Sequence, residues 1–185
     1  MISEEIFGAN CNYVEFSILP FQVSNANANA NAHKVYETNF EKDEFYKVMK
    51  RLSHDESLKY FQKEYKQYVS QDLIYENKDN DDICVYKKKM VDEGLITDNC
   101  IYTTYQKTKL SILAFPSSIK IHSISYIRKL TFRVNNRIYV NFECKYENDE
   151  IFYRIYINYN HEQNVELDKI KLTLNKYIKM LYVNF

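Results

Sequence analysis

The chain has 185 residues, of which 25 are Lys or Arg and 25 are Asp or Glu, so no net field attracts a polyanion to the whole molecule. Eighteen Tyr and 11 Phe with no Trp supply a large apolar reserve, enough for one domain with a real core. Two Gly and two Pro exclude glycine-rich phosphate loops and leave Asn and Asp to make the turns.

In chain order, the opening stretch "MISEEIFGANC" carries two acids and no base, which is not the pattern of a signal peptide. "NYVEFSILPF" (12–21) reads as a strand, with Val14, Phe16 and Ile18 on one face and Tyr13, Glu15 and Ser17 on the other. "SNANANANA" (24–32) is a low-complexity Asn-Ala tract and is expected as a flexible loop. "ETNFEKDEFYKVMKRL" (37–52) predicts a helix, with Thr38 and Glu41 as a capping box and Phe45, Val48, Met49 and Leu52 as its stripe. Leu58, Phe61 and Tyr65 sit at helical spacing in 55–69 and predict a second helix. A solvated turn follows at 77–82.

From there the period changes to two. Strands are expected at 83–91, 101–108, 109–115, 119–134, 137–146 and 151–160, with turns at Asn135-Asn136 and Glu147-Asn148-Asp149. Leu167, Ile170, Leu174, Ile178 and Leu181 predict a closing helix over 165–182. One strand, two helices, a run of antiparallel strands and a final helix give an α+β class. Strands with one apolar and one polar face fit either an open sheet or a barrel of about eight strands, polar inside and covered outside by helices.

The polar faces decide what such a barrel would hold. They carry Lys129 and Arg133 on one strand, Arg137, Glu143 and Lys145 on the next, and Arg154, Asn158 and Asn160 on the last. Glu15 lies on the first strand, Lys88 within "YKKK", and Lys107 and Lys109 flank the next segment. If these faces line one cavity, five or more cations meet one or two carboxylates and repel unless an anion lies between them. The alternative is the solvated side of an ordinary sheet.

Other chemistries lack their residues. The four Cys are widely spaced and fit buried thiols in a reducing, intracellular setting, host cytoplasm or nucleus, better than a zinc site. His33, His54, His122 and His161 are scattered without ligand spacing. No apolar run reaches membrane-spanning length, so no membrane partner is expected.

The opening strand "YVEFS", the helix "FEKDEFYKVMKRL", the basic strand "ICVYKKK", the pair "ISYIRKLTFRVNNRIYVNFECKY" and "YRIYINYNHEQ" before a terminal helix stand in a familiar order. The chain resembles the triphosphate tunnel family, and in particular the RNA 5′-triphosphatase half of large-DNA-virus mRNA-capping enzymes of the baculovirus late-expression type. The resemblance spans nearly all of 1–185 as a single domain.

It implies an eight-stranded antiparallel tunnel. In that family a Glu-x-Glu pair on the first strand and another on the last hold Mn²⁺ or Mg²⁺ against the substrate phosphates. The resemblance further implies phosphate-binding roles for Lys88, Lys109, Lys129, Arg133, Arg137 and Arg154, and metal-facing roles for Glu15 and Glu143.

The carry-over is incomplete. Tyr13 stands where Glu15 should have an acidic partner, and Asn158 and Asn160 replace the last pair, so three of four carboxylates are missing. The expectation is therefore a degenerate tunnel without a metal cofactor, a binding or scaffold partner of viral transcription or capping subunits that takes an RNA 5′ end or a nucleoside triphosphate. An active Mn²⁺- or Mg²⁺-dependent RNA triphosphatase and a small structural virion protein are the alternatives.

Overall fold

The structure is a computed structural model, and it describes residues 10–20, 38–71, 73–77, 83–97, 100–110 and 120–160 together with Leu172 and Lys179. Its frame is β1 (Asn10–Ile18), α1 (Lys42–Ser53), β2 (Lys59–Ser70), β3 (Leu73–Asn77), β4 (Ile83–Thr97), β5 (Cys100–Leu110), β6 (Ser123–Arg133), β7 (Ile138–Glu147) and β8 (Glu150–Asn160).

The eight strands close into an antiparallel barrel in the order β1-β5-β4-β3-β2-β6-β7-β8. Two meanders, β2 to β5 and β6 to β8, are joined through β2 and β6, and β1 is inserted between β5 and β8. The first and last strands lie side by side, with Glu15 opposite Asn158 and Ser17 opposite Tyr156.

The apolar faces point outward, under the helix. Val14, Phe16 and Ile18 join Ile138, Val140, Phe142, Ile155 and Ile157 in a core sealed by Phe45, Val48 and Leu52 of α1. The Phe45 ring packs 5.6 Å from Phe142 and 5.1 Å from Tyr153, at the tilted and edge-on angles aromatic pairs prefer. With the apolar side of these strands spent on the helix, their polar side is left for the barrel interior.

The turns use the residues expected of a glycine-poor chain. Asn148 and Asp149 both take positive φ (51° and 64°), the two-residue geometry that matches strand twist in a hairpin. Asn135 Oδ1 accepts from the backbone N–H of Arg137 at 2.8 Å and of Ile138 at 2.9 Å, which fixes the β6–β7 turn.

Three expectations are corrected. Residues 59–70 form β2, not a second helix: pairing along the whole of β6 outweighs the coincidental helical spacing of Leu58, Phe61 and Tyr65, and Phe61 is exposed. The first helix starts at Lys42 and has no side-chain cap, because 38–40 is drawn onto β8. There Phe40 N–H donates to Tyr153 O at 2.8 Å, and Tyr153 N–H donates to Asn39 Oδ1 at 2.7 Å. Finally, β5 runs unbroken to Leu110 across the boundary expected at 108–109.

The Asn-Ala tract 24–32 lies outside the described residues. So does the closing helix 165–182, apart from Leu172 and Lys179, which are helical. Among the described residues no helix is long and apolar enough to cross a membrane.

Candidate functional site

Every strand sends side chains into one interior cavity of about 550 Å³. This is the size range of small-molecule sites, and its lining is unusually charged for one. The cations are Lys88, Lys107, Lys129, Lys145 and Arg154; the carboxylates are Glu15, Glu76, Glu143 and Glu147. Among the described residues, five against four leaves a formal excess of one positive charge, so their lining is nearly balanced rather than strongly cationic.

The centre of the network is Glu15, 4% exposed on β1. Arg154 Nη2 donates to Glu15 Oε1 at 2.6 Å, and Lys88 Nζ stands 3.6 Å from Glu15 Oε2. The same Nη2 reaches Ser17 Oγ at 3.2 Å, and Arg154 Nη1 faces Glu143 Oε1 at 3.9 Å. Tyr156 Oη donates to Glu143 Oε2 at 2.9 Å. Burial pushes the Glu15 carboxyl up, but Lys88 and Arg154 outweigh it and hold the group below its ordinary 4.5. Burial also disfavours the Arg154 cation, and Glu15 with Glu143 more than offsets that, so its pKa is raised.

Tyrosine rings floor the cations. Lys88 Nζ lies 3.9 Å from the Tyr105 ring centroid and Lys107 Nζ 3.8 Å from that of Tyr86. Lys129 Nζ is 5.7 Å from Tyr65, and Arg154 Cζ is 5.0 Å from Tyr156. Burial first, and nearby glutamates second, raise the pKa of Tyr65, Tyr105 and Tyr156, which keeps them neutral donors. Two further pairs complete the wall: Tyr86 Oη donates to Glu76 Oε1 at 2.6 Å, and Lys145 Nζ meets Glu147 Oε2 at 2.9 Å.

Of the residues singled out in the sequence, Glu15, Lys88, Lys129, Glu143 and Arg154 come together in this cavity. Lys109, Arg133 and Arg137 are exposed and do not line it. Their alternation continues the polar face, but each sits where a strand runs out. Arg133 ends β6 and bonds Asn136, and Arg137 belongs to the β6–β7 turn. Glu76 and Glu147 were missed, the first on a short strand not expected from the sequence, the second assigned to a turn. Their parity with inward Ile74 and Lys145 is the signal that marks them.

The donor set does not suit a hard dication. Both Glu15 oxygens face cations, and Glu143 is held by Tyr156 and Arg154. The β8 neighbour of Glu15 is Asn158, whose buried Oδ1 has no hydrogen-bond partner and carries no charge. Among the described residues no three His, Cys, Asp or Glu converge as a metal site.

No protein-family model matches the chain, and no curated protein matches its sequence. Solved structures do match. The Pct1 RNA triphosphatase of S. pombe is similar with a TM-score of 0.70 at 8% identity, covering 97% of this chain and 88% of that one. The RNA triphosphatase domain of the mimivirus mRNA capping enzyme is similar at TM-score 0.58 and 9% identity, covering 92% and 89%. Pct1 has also been solved in complex with the Spt5 CTD, and that structure matches at TM-score 0.61 and 8% identity, covering 95% and 81%. At such identities the likeness is one of architecture: the closed eight-stranded barrel with inward polar faces and an outer helix is the fold that this chain shares with these RNA triphosphatase structures.

Proposed function

We propose that the chain is a non-catalytic triphosphate-tunnel domain that binds phosphate-bearing ligands, such as an RNA 5′ end or a nucleoside triphosphate, without a metal. It would serve as a binding or scaffold subunit of a viral transcription or mRNA-capping system. One observation carries this reading: Glu15, the remaining carboxylate of the first-strand pair, is held between Arg154 and Lys88, and its β8 neighbour is an amide. Phosphoryl transfer in such a tunnel needs hard cations to offset charge on the phosphate oxygens, and this donor set gives them little to bind. The cavity cations remain available to contact a ligand after rearrangement of their ion pairs.

Pct1 offers a precedent for a tunnel of this fold that is also bound by a protein segment. Assignment to a viral capping or transcription assembly rests on the sequence resemblance and on the structural likeness to the mimivirus domain.

The test has two parts. Tripolyphosphate or nucleoside triphosphate should bind with the same affinity with and without EDTA. Triphosphate-ended RNA should lose no γ-phosphate in Mn²⁺ above a Glu15→Ala control. Manganese-dependent turnover abolished by Glu15→Ala would establish the competing reading, an active RNA triphosphatase.

A further inference from the structure

Arg154 and Lys88 converge on opposite oxygens of one buried, tethered carboxylate, with the Ser17 hydroxyl on the same guanidinium nitrogen. A guanidinium, an ammonium and a hydroxyl around two anionic oxygens are also what a phosphate group requires. Because Glu15 belongs to the chain, its effective concentration at these cations far exceeds that of a dissolved ligand.

We propose that Glu15 is a built-in competitor, occupying the position that Arg154 and Lys88 would otherwise offer to phosphate, so that only ligands with several linked phosphates displace it. This rests on the reading of the cavity as a phosphate site.

The register supports a stepwise entry. Lys129, Glu143 and Arg154 lie in one row across β6, β7 and β8. Strand spacing puts the outer two about 10 Å apart at their Cα atoms, within reach of one linked polyphosphate through long side chains. Glu143 turns its oxygens to Tyr156 and Arg154, and Lys129 makes no ion pair among the described residues. A first phosphate therefore settles at Lys129, and a linked one then contends with Glu15 for Arg154. A lone phosphate has no second foothold from which to do so.

The experiment measures binding of inorganic tripolyphosphate and of orthophosphate to the full chain in EDTA by calorimetry. Glu15→Gln keeps the side chain's size and should tighten tripolyphosphate at least tenfold while making orthophosphate binding measurable. Adding Arg154→Met should remove that gain, and Glu64→Gln, the same charge change on an exposed ion pair with Arg128, should not reproduce it.

Unchanged or weaker binding by Glu15→Gln, with wild type still binding, overturns the competitor and leaves the phosphate reading intact. A silent wild type with a binding variant overturns displacement of Glu15 by linked phosphates, and with it the wild-type cavity as a working phosphate site, leaving Glu15 only as a permanent block. Silence of both overturns both, as does an equal gain from Glu64→Gln for the competitor alone. Should Glu15→Gln not fold, Glu143→Gln releases the other side of the same guanidinium; a smaller gain is expected there, and no gain overturns the proposal.

Discussion

At Arg154 one guanidinium serves two carboxylates, Glu15 at 2.6 Å and Glu143 at 3.9 Å, with its side chain about one-third exposed at 31%. Replacing it by Met leaves buried Glu15 with Lys88 and buried Glu143 with the Tyr156 hydroxyl, both without their guanidinium, and should cost about 3 kcal/mol in urea unfolding. The double variant Glu15→Gln/Arg154→Met should recover part of that loss, because the stranded charge is gone. Acid stability follows from the same contacts. The folded pKa of Glu15 lies below its ordinary 4.5, so the charged form binds its partners more strongly than the neutral one. Its contribution is complete above 4.5 and is lost as pH falls below that value toward the folded pKa. Thermal melts across this window should show wild type losing stability more steeply than Glu15→Gln.

At the scale of elements, α1 and the turns make separate predictions. Phe45, 1% exposed, is the aromatic wedge between α1 and the outer wall, and Phe45→Ala should destabilise by about 3–5 kcal/mol in denaturant melts. Asp149→Val puts a β-branched residue at φ 64° and should cost about 1–2 kcal/mol, without affecting ligand binding. These same elements show what the sequence makes legible. The strands β1, β7 and β8 alternate cleanly because one face meets a dry helix-covered core, which β6 joins only through Leu130 and Phe132, and both hairpin turns carry the Asn and Asp that their geometry wants. In β2 that contrast fails. Its inward residues, Tyr65 and Gln67, are an aromatic and an amide, and Tyr60 and Phe61 on its opposite sides are both exposed. With neither face uniformly dry, local spacing carries no strand signal, and only pairing with distant β6 determines the structure.

For the molecule as a whole, metal dependence is the most accessible test. Addition of EDTA, or of Mn²⁺ with EDTA omitted, should leave the melting temperature unchanged, whereas tripolyphosphate should raise it by mass action on the folded state. Alternation along the strands fits an open sheet as well as a barrel, and it is the order of elements, through the family resemblance it carries, that points to a closed tunnel. The tunnel's charge balance is legible in neither. Glu76 and Glu147 enter the interior through strand parity, the first on a short strand that the sequence pattern does not signal and the second beside a hairpin turn, and among the described residues they bring a cationic channel close to neutral. Lys109, Arg133 and Arg137 err in the opposite direction, since periodicity continues past the point where the wall stops.

The strand order also bears on how the chain is made. β1 pairs only with β5 and β8, so Val14, Phe16 and Ile18 emerge from the ribosome long before either neighbour exists. A nascent chain must carry that bare, water-averse ribbon through the synthesis of roughly half the protein, during which other chains can capture it. Truncation within β8 strips one flank of β1 for good, and such fragments should accumulate as aggregates rather than as shortened barrels.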